Sequence, residues 1–334
     1  INNKTRKIIM EVKELIKSKV SLAPMAGITD YVLRSLVRKY SKTCLLTSEM
    51  ISSEALTQVK DTVITKRDEN HSPISYQLSG HKPEMIANCA KYLEQFADMV
   101  DINMGCPVGK VVRGNDGCAL MRDHSLAYDI VKAVKEKITV PVSVKFRLGY
   151  TASEMNFVEF GEWMQEAGAD FITIHGRTRN QMYAGNADWK KIAELKKAVD
   201  IPVFANGDVT SIETAERCME ESGADGVAIG RAAIGDASLI YRVEHFFKTG
   251  ERLPVPTLEE KIADFKTHLD EEIALRGENV GIKFVRKFYP FYINGVKNAA
   301  KYRSKLVVMD NYDEILKTLD YICKENSEEI IVQV

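Results

Sequence analysis

The chain has 334 residues, of which 45% are hydrophobic and 28% are charged, and its formal net charge at pH 7 is -1. This length suits a barrel-sized domain followed by a small second unit, and the composition provides a normal hydrophobic core. The near-neutral charge excludes a general polyanion binder, so any nucleic-acid surface must be a local patch.

The cysteine spacing and the apolar runs exclude further classes of protein. The six cysteines stand at positions 44, 89, 106, 118, 218 and 323, and none forms a CxxC pair. This argues against a zinc site or a disulfide framework and favours a reducing compartment. The N-terminal segment lacks the apolar core of a signal peptide, and no apolar run approaches the ~20 residues of a membrane span. We therefore expect a cytoplasmic protein with no metal site and no membrane association.

Eight short apolar runs, rich in β-branched residues, predict eight strands. They are nearly continuous in apolar residues, as is typical of parallel strands that are covered on both faces. The runs lie near residues 19–24, 44–49, 73–78, 99–104, 141–147, 171–175, 202–206 and 226–230.

Between most of these strands, apolar residues recur every 3.6 positions and predict helices. The helices fit residues 29–41, 83–97, 124–138, 154–167, 189–199, 210–222 and 231–248, whereas 50–72 has no clear pattern. Eight strand–helix units in about 250 residues predict an α/β fold of the closed (β/α)8 TIM-barrel type. A doubly wound open sheet is the alternative, and the lack of GxGxxG spacing in PMAGITD, after the first strand, argues against it.

The hydrophobic pattern changes after residue 248. The stretch KTGERLPVPTLEEK has the composition of a linker, and Thr257 and Glu260 are spaced for a capping box. Beyond it, helices are predicted at 257–275, 279–293, 295–305 and 311–325. The chain is therefore predicted to form a TIM-barrel domain over residues 1–250 and a small all-helical domain over residues 256–334.

The carboxyl ends of the strands carry the active site in TIM barrels, and nearly every such end in this chain is polar. The loops ANGDVTS and IGRAAIG follow the seventh and eighth strands, and each places glycine just before a helix start. Backbone N–H groups and a helix N-terminus favour an anion there, and these two loops are the usual phosphate site of the fold. The sequence thus predicts a phosphate site.

Eight motifs stand at or near the strand ends. They are APMAGITD (23–30), SEM (48–50), YQLSG (76–80), DINMGCPVGKVVRGNDGCALM (101–121), VSVKFRLG (142–149), TIHGRTR (173–179), FANGDV (204–209) and GVAIGRAAIG (226–235). In this order they resemble the tRNA-dihydrouridine synthases, most closely the bacterial B-type branch, over about residues 20–305. The run GNDGCAL departs from a shorter glycine-serine or glycine-alanine run in relatives, so Cys118 receives no role.

The resemblance implies an FMN-dependent enzyme with electrons supplied by NADPH or NADH. Its implied reaction is reduction of the C5=C6 bond of selected uridines in tRNA to 5,6-dihydrouridine. A catalytic barrel and a tRNA-binding helical domain are also implied. The family's catalytic cysteine corresponds to Cys106. The family's FMN contacts correspond to Pro24, Met25, Ala26, Gln77, Lys145, His175, Asn206, Gly207, Asp208, Gly230 and Arg231.

Reduction of uracil needs an acid opposite the hydride donor, because a hydride adds at C6 and a proton at C5. A thiol, with a pKa of about 8.5 in water, is mostly protonated at neutral pH and can give that proton. Cys106, between Gly105 and Pro107 at the end of the fourth strand, is predicted to be this acid. A small buried core cysteine is the alternative. The glycines at 105, 109, 114 and 117 are expected to let the following loop close on a base.

Five further residues have both a functional and a structural interpretation. Lys145 would stabilise an anionic reduced flavin, and Gln77 offers a donor and an acceptor to its amide edge. His175 would donate to the flavin or the substrate, and Asn103 would hold a uracil edge. The structural alternatives are that Lys145 reaches solvent, that Gln77 caps a strand end, and that His175 is a core histidine with its hydrogen bonds satisfied. Arg177 would meet either a phosphate or simply solvent.

A basic stretch, residues 281–308, contains no Asp or Glu. Six aromatic residues interleave its cations, and most are expected to lie in the core. A base must leave its stack to reach a flavin inside a barrel, so an exposed loop uridine is the expected substrate. The cations that suit RNA phosphates are Lys283, Arg286, Lys287 and Arg303, with Lys110 and Arg113 at the mouth of the predicted site.

Other functions stay open. An FMN-dependent small-molecule dehydrogenase of the dihydroorotate type shares the phosphate loops and the lysine, but it does not explain the basic helical tail. A non-catalytic RNA-binding barrel is disfavoured by Cys106, Lys145 and His175. A uridine reductase acting on rRNA is a narrower alternative. We expect a monomer, because the sequence shows no obvious apolar interface.

Overall fold

The computed structural model describes residues 11–59 and 63–327. The predicted domains also include residues 1–10, 60–62 and 328–334, which lie outside the described residues. Within the described residues, eight parallel strands follow one another in a single sheet, and a bridge between Ser21 and Leu45 joins the first strand to the second. This arrangement confirms the predicted TIM barrel. The strands are β1 (Val20–Leu22), β2 (Leu46–Ser52), β3 (Ile74–Ser79), β4 (Met99–Met104), β5 (Val142–Arg147), β6 (Phe171–His175), β7 (Val203–Asn206) and β8 (Gly226–Ile229).

Helices surround the barrel and continue beyond it. Around the barrel they are α1 (Val12–Leu15), α2 (Tyr31–Tyr40), α3 (Ser53–Gln58), α4 (Pro83–Leu93), α5 (Gly109–Arg113), α6 (His124–Lys137), α7 (Phe157–Glu166), α8 (Trp189–Ala198), α9 (Ile212–Ser222) and α10 (Ser238–Thr249). Toward the C-terminus they are α11 (Leu258–Arg276), α12 (Glu278–Val285), α13 (Tyr289–Tyr292), α14 (Ala299–Leu306) and α15 (Tyr312–Ser327). In the part of the chain that the structure describes, no helix is long and apolar enough to cross a membrane.

Two predicted helices are interrupted. The segment 279–293 is divided into α12, a 3-10 turn and α13, because Pro290 has no N–H and would clash with the carbonyl four residues earlier in a continuous helix. The segment 231–248 begins with a separate 3-10 turn at Arg231–Ala233, and α10 starts only at Ser238. The segment 50–72, which has no clear sequence pattern, contains α3 and a 3-10 turn at Glu69–His71.

The amino-terminal end of the barrel is closed by apolar side chains. Leu15 from α1 packs there with Leu45, Met99, Phe171 and Phe204, all of them buried. The opposite end, where the carboxyl ends of the strands lie, holds a pocket. The C-terminal helices pack against the barrel through α2 and α11, and both regions share one hydrophobic cluster.

Candidate active site

A pocket of about 520 Å³ opens at the carboxyl ends of the strands. It contains Cys106 and Asn103 together with all eleven residues that the resemblance assigned to FMN contacts. Those eleven, from six different segments of the chain, are Pro24, Met25, Ala26, Gln77, Lys145, His175, Asn206, Gly207, Asp208, Gly230 and Arg231. The residues described include no group of three or more His, Cys, Asp or Glu side chains arranged to hold a metal ion.

Cys106 stands on a tight turn that leaves β4. Its N–H donates to Asn103 Oδ1 at 2.9 Å, and its carbonyl accepts from Cys118 N–H at 3.1 Å. Gly117, in the left-handed region with φ 60°, lies so close that a Cβ there would be 2.8 Å from Cys106 O. Burial raises the pKa of the Cys106 thiol, against smaller lowering effects that include Arg147. The thiol is therefore protonated at neutral pH and partly accessible from the pocket.

Lys145, on β5, places its amine at the inner wall of the pocket. It also borders a small polar cavity of about 10 Å³ below, which it shares with Asp101 and Ser143 and which has room for about one water molecule. Burial lowers the pKa of Lys145 to about 8, with a further lowering by Arg147 and an opposing effect of Asp101. Among the described residues the Lys145 amine has no hydrogen-bond partner, so the protein leaves a cation available to a ligand.

The predicted phosphate contact of Arg177 is not supported by its position. Its guanidinium is 2% exposed and forms an ion pair with Asp208 at 2.7 Å. It also donates to the carbonyls of Ala184 and Gly185, at 3.1 and 2.6 Å. These contacts hold the Arg177 guanidinium within the protein, where it braces the loop after β6.

His175 is a buried, neutral ring beside that ion pair. Its Nε2 lies 3.3 Å from Arg177 Nη1, and an arginine can only donate, so Nε2 accepts and the proton resides on Nδ1. Burial holds the pKa of His175 well below its usual range, and Arg147 and Lys145 lower it further.

Three residues of the pocket were missed as functional candidates in the sequence. Arg147, within the motif VSVKFRLG, donates to the carbonyls of Gly105 and Met182 at 3.0 and 2.8 Å, which ties the cysteine turn to the loop after β6. Tyr183, 53% exposed, lies 4.6 Å above the guanidinium of Arg231. Phe291, from α13, forms one wall. The sequence carries a signal only for Arg147, which follows Lys145 by two positions on the same strand.

The predicted cations of the RNA surface fall into two groups. Arg286 forms an ion pair with Asp310 at 2.6 Å, and Lys287 donates to the carbonyl of Gly27 beside the pocket. Both cations are thus engaged within the protein. The partner of Arg286, Asp310, lies just outside the stretch 281–308 that contains no Asp or Glu. The remaining cations are exposed or partly exposed on helices, and they are Lys110, Arg113, Lys283 and Arg303. Of the six aromatics, four are buried, which confirms that most belong to the core.

Fold and pocket together define a TIM-barrel protein with a pocket at the carboxyl ends of its strands. Residues 21–328 match the family described as dihydrouridine synthase, and the chain belongs to this family. The 2-naphthoyl-CoA reductase in complex with 2-naphthoyl-CoA has a similar fold, with a TM-score of 0.52 and 10% identity. That similarity covers 69% of this chain and 50% of the reductase, and it bears on the fold alone.

Curated relatives extend over nearly the whole chain. The protein named probable tRNA-dihydrouridine synthase 1 from Synechocystis is 41% identical over 307 residues, which are 91% of this chain and 86% of the relative. The tRNA-dihydrouridine synthase B of Pseudomonas aeruginosa is 36% identical over 301 residues, 89% of this chain and 90% of the relative. A B-type relative from Xanthomonas axonopodis is 37% identical over 310 residues.

Proposed function

We propose that this protein reduces the C5=C6 bond of selected uridines in tRNA to 5,6-dihydrouridine. Family membership and the names of the relatives support the reaction and the substrate. The observation that carries the proposal is the position of Cys106, whose protonated thiol faces a pocket formed by eleven expected flavin contacts. Such a pocket places an acid beside a redox cofactor, which the saturation of a conjugated double bond requires.

The proposed cofactor is FMN, with NADPH or NADH as the electron donor. The pocket suits FMN in three respects. The volume lies within the range of about 300–1,000 Å³ that small ligands occupy. The Lys145 amine is a cation without a hydrogen-bond partner among the described residues. Gly207 turns in the left-handed region after β7, with φ 115°, and Gly230 precedes the 3-10 turn after β8, which supports a phosphate site in these two loops.

When reduced and bound, FMN would supply a hydride for C6 of the uracil. Cys106 holds its proton at neutral pH and gives it to C5, because burial disfavours the thiolate. Asn103 keeps one amide N–H for the uracil, since its oxygen and its other N–H are used within the protein. Arg147 and Tyr183 border the same space and are positioned to contact the base.

The RNA would approach over the exposed cations Lys110, Arg113, Lys283 and Arg303. Phosphate contacts of this kind make binding weaken as salt rises. The target uridine has to leave its stack to enter a pocket at the barrel mouth, so a loop nucleotide is favoured over one in a duplex. A monomeric, cytoplasmic enzyme stays part of the proposal.

The deciding experiment follows flavin absorbance after anaerobic reduction of the purified protein. Unmodified tRNA should reoxidise the flavin rapidly, whereas free uridine, orotate, rRNA and buffer should not. Cys106→Ala should slow reoxidation by about 10²-fold or more, the usual effect of removing a general acid, and Cys118→Ala serves as the matched thiol control. Turnover with orotate but not tRNA would instead establish the small-molecule dehydrogenase, and turnover with rRNA would change the substrate.

A further inference from the structure

A continuous series of buried polar side chains connects Asp101, in the middle of β4, to the turn that carries Cys106. Gln77 Nε2 donates to Asp101 Oδ2 at 2.6 Å, and Asn103 Nδ2 donates to Gln77 Oε1 at 2.8 Å. Asn103 Oδ1 then accepts the N–H groups of Gly105 and Cys106, at 3.2 and 2.9 Å. Three side chains on two neighbouring strands thus connect one carboxylate to the backbone of the reactive turn.

Both ends of this series set the direction of its bonds, since the backbone N–H groups of the turn can only donate to Asn103 and Asp101 accepts from Gln77. An ionised carboxylate only accepts hydrogen bonds, so Gln77 must turn its NH₂ toward Asp101 and its oxygen toward Asn103. Asn103 must then present its NH₂ to Gln77 and its oxygen to the turn. The opposite orientation of either amide would place two donors face to face. A carboxamide alone has no such preference, because it presents a donor and an acceptor of similar size.

Asp101 is an unusual residue for this position. It is 4% exposed at the centre of a strand of which the other members are mostly apolar, and burying a carboxylate is costly. Its second oxygen accepts from the Ser143 hydroxyl at 2.6 Å. Burial raises the pKa of Asp101, against the lowering effects of the hydrogen bonds from Ser143 and Gln77 and of the Lys145 charge. Ser143 and Lys145 border the same small cavity, so Asp101 lies in a polar layer of the barrel, where an apolar residue would leave Gln77 without an acceptor.

We propose that Asp101 is a positioning residue, which sets the orientation of the Gln77 and Asn103 amides and thereby fixes the turn that presents the Cys106 thiol. The consequence for the reaction rests on the proposed function, in which that thiol is the acid. The structural part of the proposal does not, because it concerns only hydrogen bonds within the protein.

Two substitutions of similar shape separate orientation from packing. In Asp101→Asn, the new oxygen accepts from Gln77 while the new NH₂ donates to Ser143, whose hydroxyl can accept as well as donate, so the series keeps its direction. In Asp101→Leu no acceptor is left for Gln77. Ser143→Ala is the control, because it removes the other partner of Asp101 and leaves the series intact.

The measurement is hydrogen–deuterium exchange at the amides of Gly105 and Cys106, read by mass spectrometry with residue-level fragmentation, on the purified protein without RNA. Asp101→Leu leaves the Gln77 amide without its acceptor, so Asn103 is held less firmly and exchange at both amides should speed up about fivefold or more. Asp101→Asn and Ser143→Ala should leave exchange within about twofold of wild type. Each variant's thermal unfolding confirms that it is folded.

Equal exchange in the Asn and Leu variants, whether both are slow or both are fast, would overturn the proposal. Should the Leu chain fail to fold, Gln77→Met cuts the same link from the other side and takes its place. Turnover with tRNA gives a second readout: Asp101→Leu should lower kcat while KM for tRNA stays near wild type. If no variant, including wild type, turns over tRNA, the proposed function fails while the exchange result still decides the role of Asp101.

Discussion

At the scale of single residues, the charge of Lys145 changes in mild alkali. Its amine has no hydrogen-bond partner among the described residues, and burial, aided by Arg147, lowers the pKa of Lys145 to about 8. The cation is therefore nearly fully present only well below pH 8, and it is lost as the pH rises through that value. A ligand that relies on this charge must bind less tightly in mild alkali.

FMN binding tests this expectation. The Kd of the apoprotein for FMN should rise between pH 7 and pH 9 in wild type, approaching tenfold per pH unit above the pKa. Lys145→Met should bind FMN more weakly at pH 7 and lose this pH dependence. Fluorescence titration of FMN measures both, and Arg147→Lys, which keeps a neighbouring cation, is the control. A Kd independent of pH in wild type would remove Lys145 from the cofactor site.

The sequence located the pocket residues well because each follows a strand that the apolar pattern reveals. Cys106, Lys145 and His175 all stand where a parallel strand ends, and such ends meet at one edge of a barrel. The burial of Arg177 was not predictable in this way. It depends on Asp208, 31 residues away on another loop, and on carbonyls that only the folded loop brings together.

At the scale of elements, the turn that carries Cys106 depends on one glycine further along the segment between β4 and α6. Gly117 has φ 60°, and a Cβ there would be 2.8 Å from Cys106 O and 2.9 Å from Cys106 Cβ. Gly223, after α9, has nearly the same φ of 59°, but a Cβ there would meet nothing within 4 Å among the described residues. Both positions require the left-handed backbone conformation, but a Cβ would be crowded only at Gly117.

Alanine at each position separates the two effects. Both Gly117→Ala and Gly223→Ala should lower the free energy of unfolding by about 1–2 kcal/mol, the cost of an L-residue in the left-handed region. Gly117→Ala should lose more than Gly223→Ala and should also change the rate at which iodoacetamide alkylates Cys106. Urea unfolding and peptide mass spectrometry measure the two quantities. Equal losses and equal alkylation would mean that the turn accommodates a Cβ without moving the thiol.

Strand positions were predictable within a few residues, because buried parallel strands are apolar almost throughout. The breaks within the helices were harder to predict. Pro290 lies inside a stretch with a helical apolar pattern, and its effect on the backbone competes with that pattern. Gly295 and Asn298, both with positive φ, likewise delay the start of α14 to Ala299, past the predicted residue 295.

At the scale of the whole molecule, the C-terminal helices are part of the pocket as well as of the predicted RNA surface. Phe291 lines the pocket, and its carbonyl packs so tightly on Gly235 that a Cβ there would lie 2.4 Å away. Asp264, on α11, accepts from Lys39 and Tyr40 of α2, each at 2.7 Å. No periodicity in the sequence predicts these contacts, because they join segments far apart in the chain, more than 200 residues apart in the case of Asp264.

His268 lies at the centre of this contact between barrel and helices. Its side chain is fully buried, its ring centroid is 4.5 Å from that of Phe288, and its Nδ1 is 3.1 Å from the hydroxyl of Tyr292. Burial lowers the pKa of His268 from 6.5 to about 4, with Asp30 opposing and Lys287 adding to the shift. A pKa that is lower in the folded state than in the unfolded chain means that folding favours the neutral ring.

The stability that this neutral ring contributes is present above pH 6.5 and is lost as the pH falls toward 4. Because other buried groups also titrate, the informative quantity is the difference in unfolding free energy between wild type and His268→Gln. That difference should shift against wild type by up to about 1.4 kcal/mol per pH unit between pH 6 and pH 4.5. Urea unfolding at several pH values measures it, with His245→Gln, at a surface ion pair with Glu251, as the control. A difference that stays constant over this range would show that His268 is already protonated in the folded protein, and that Glu272, with an oxygen 3.8 Å from its Nε2, balances the buried charge.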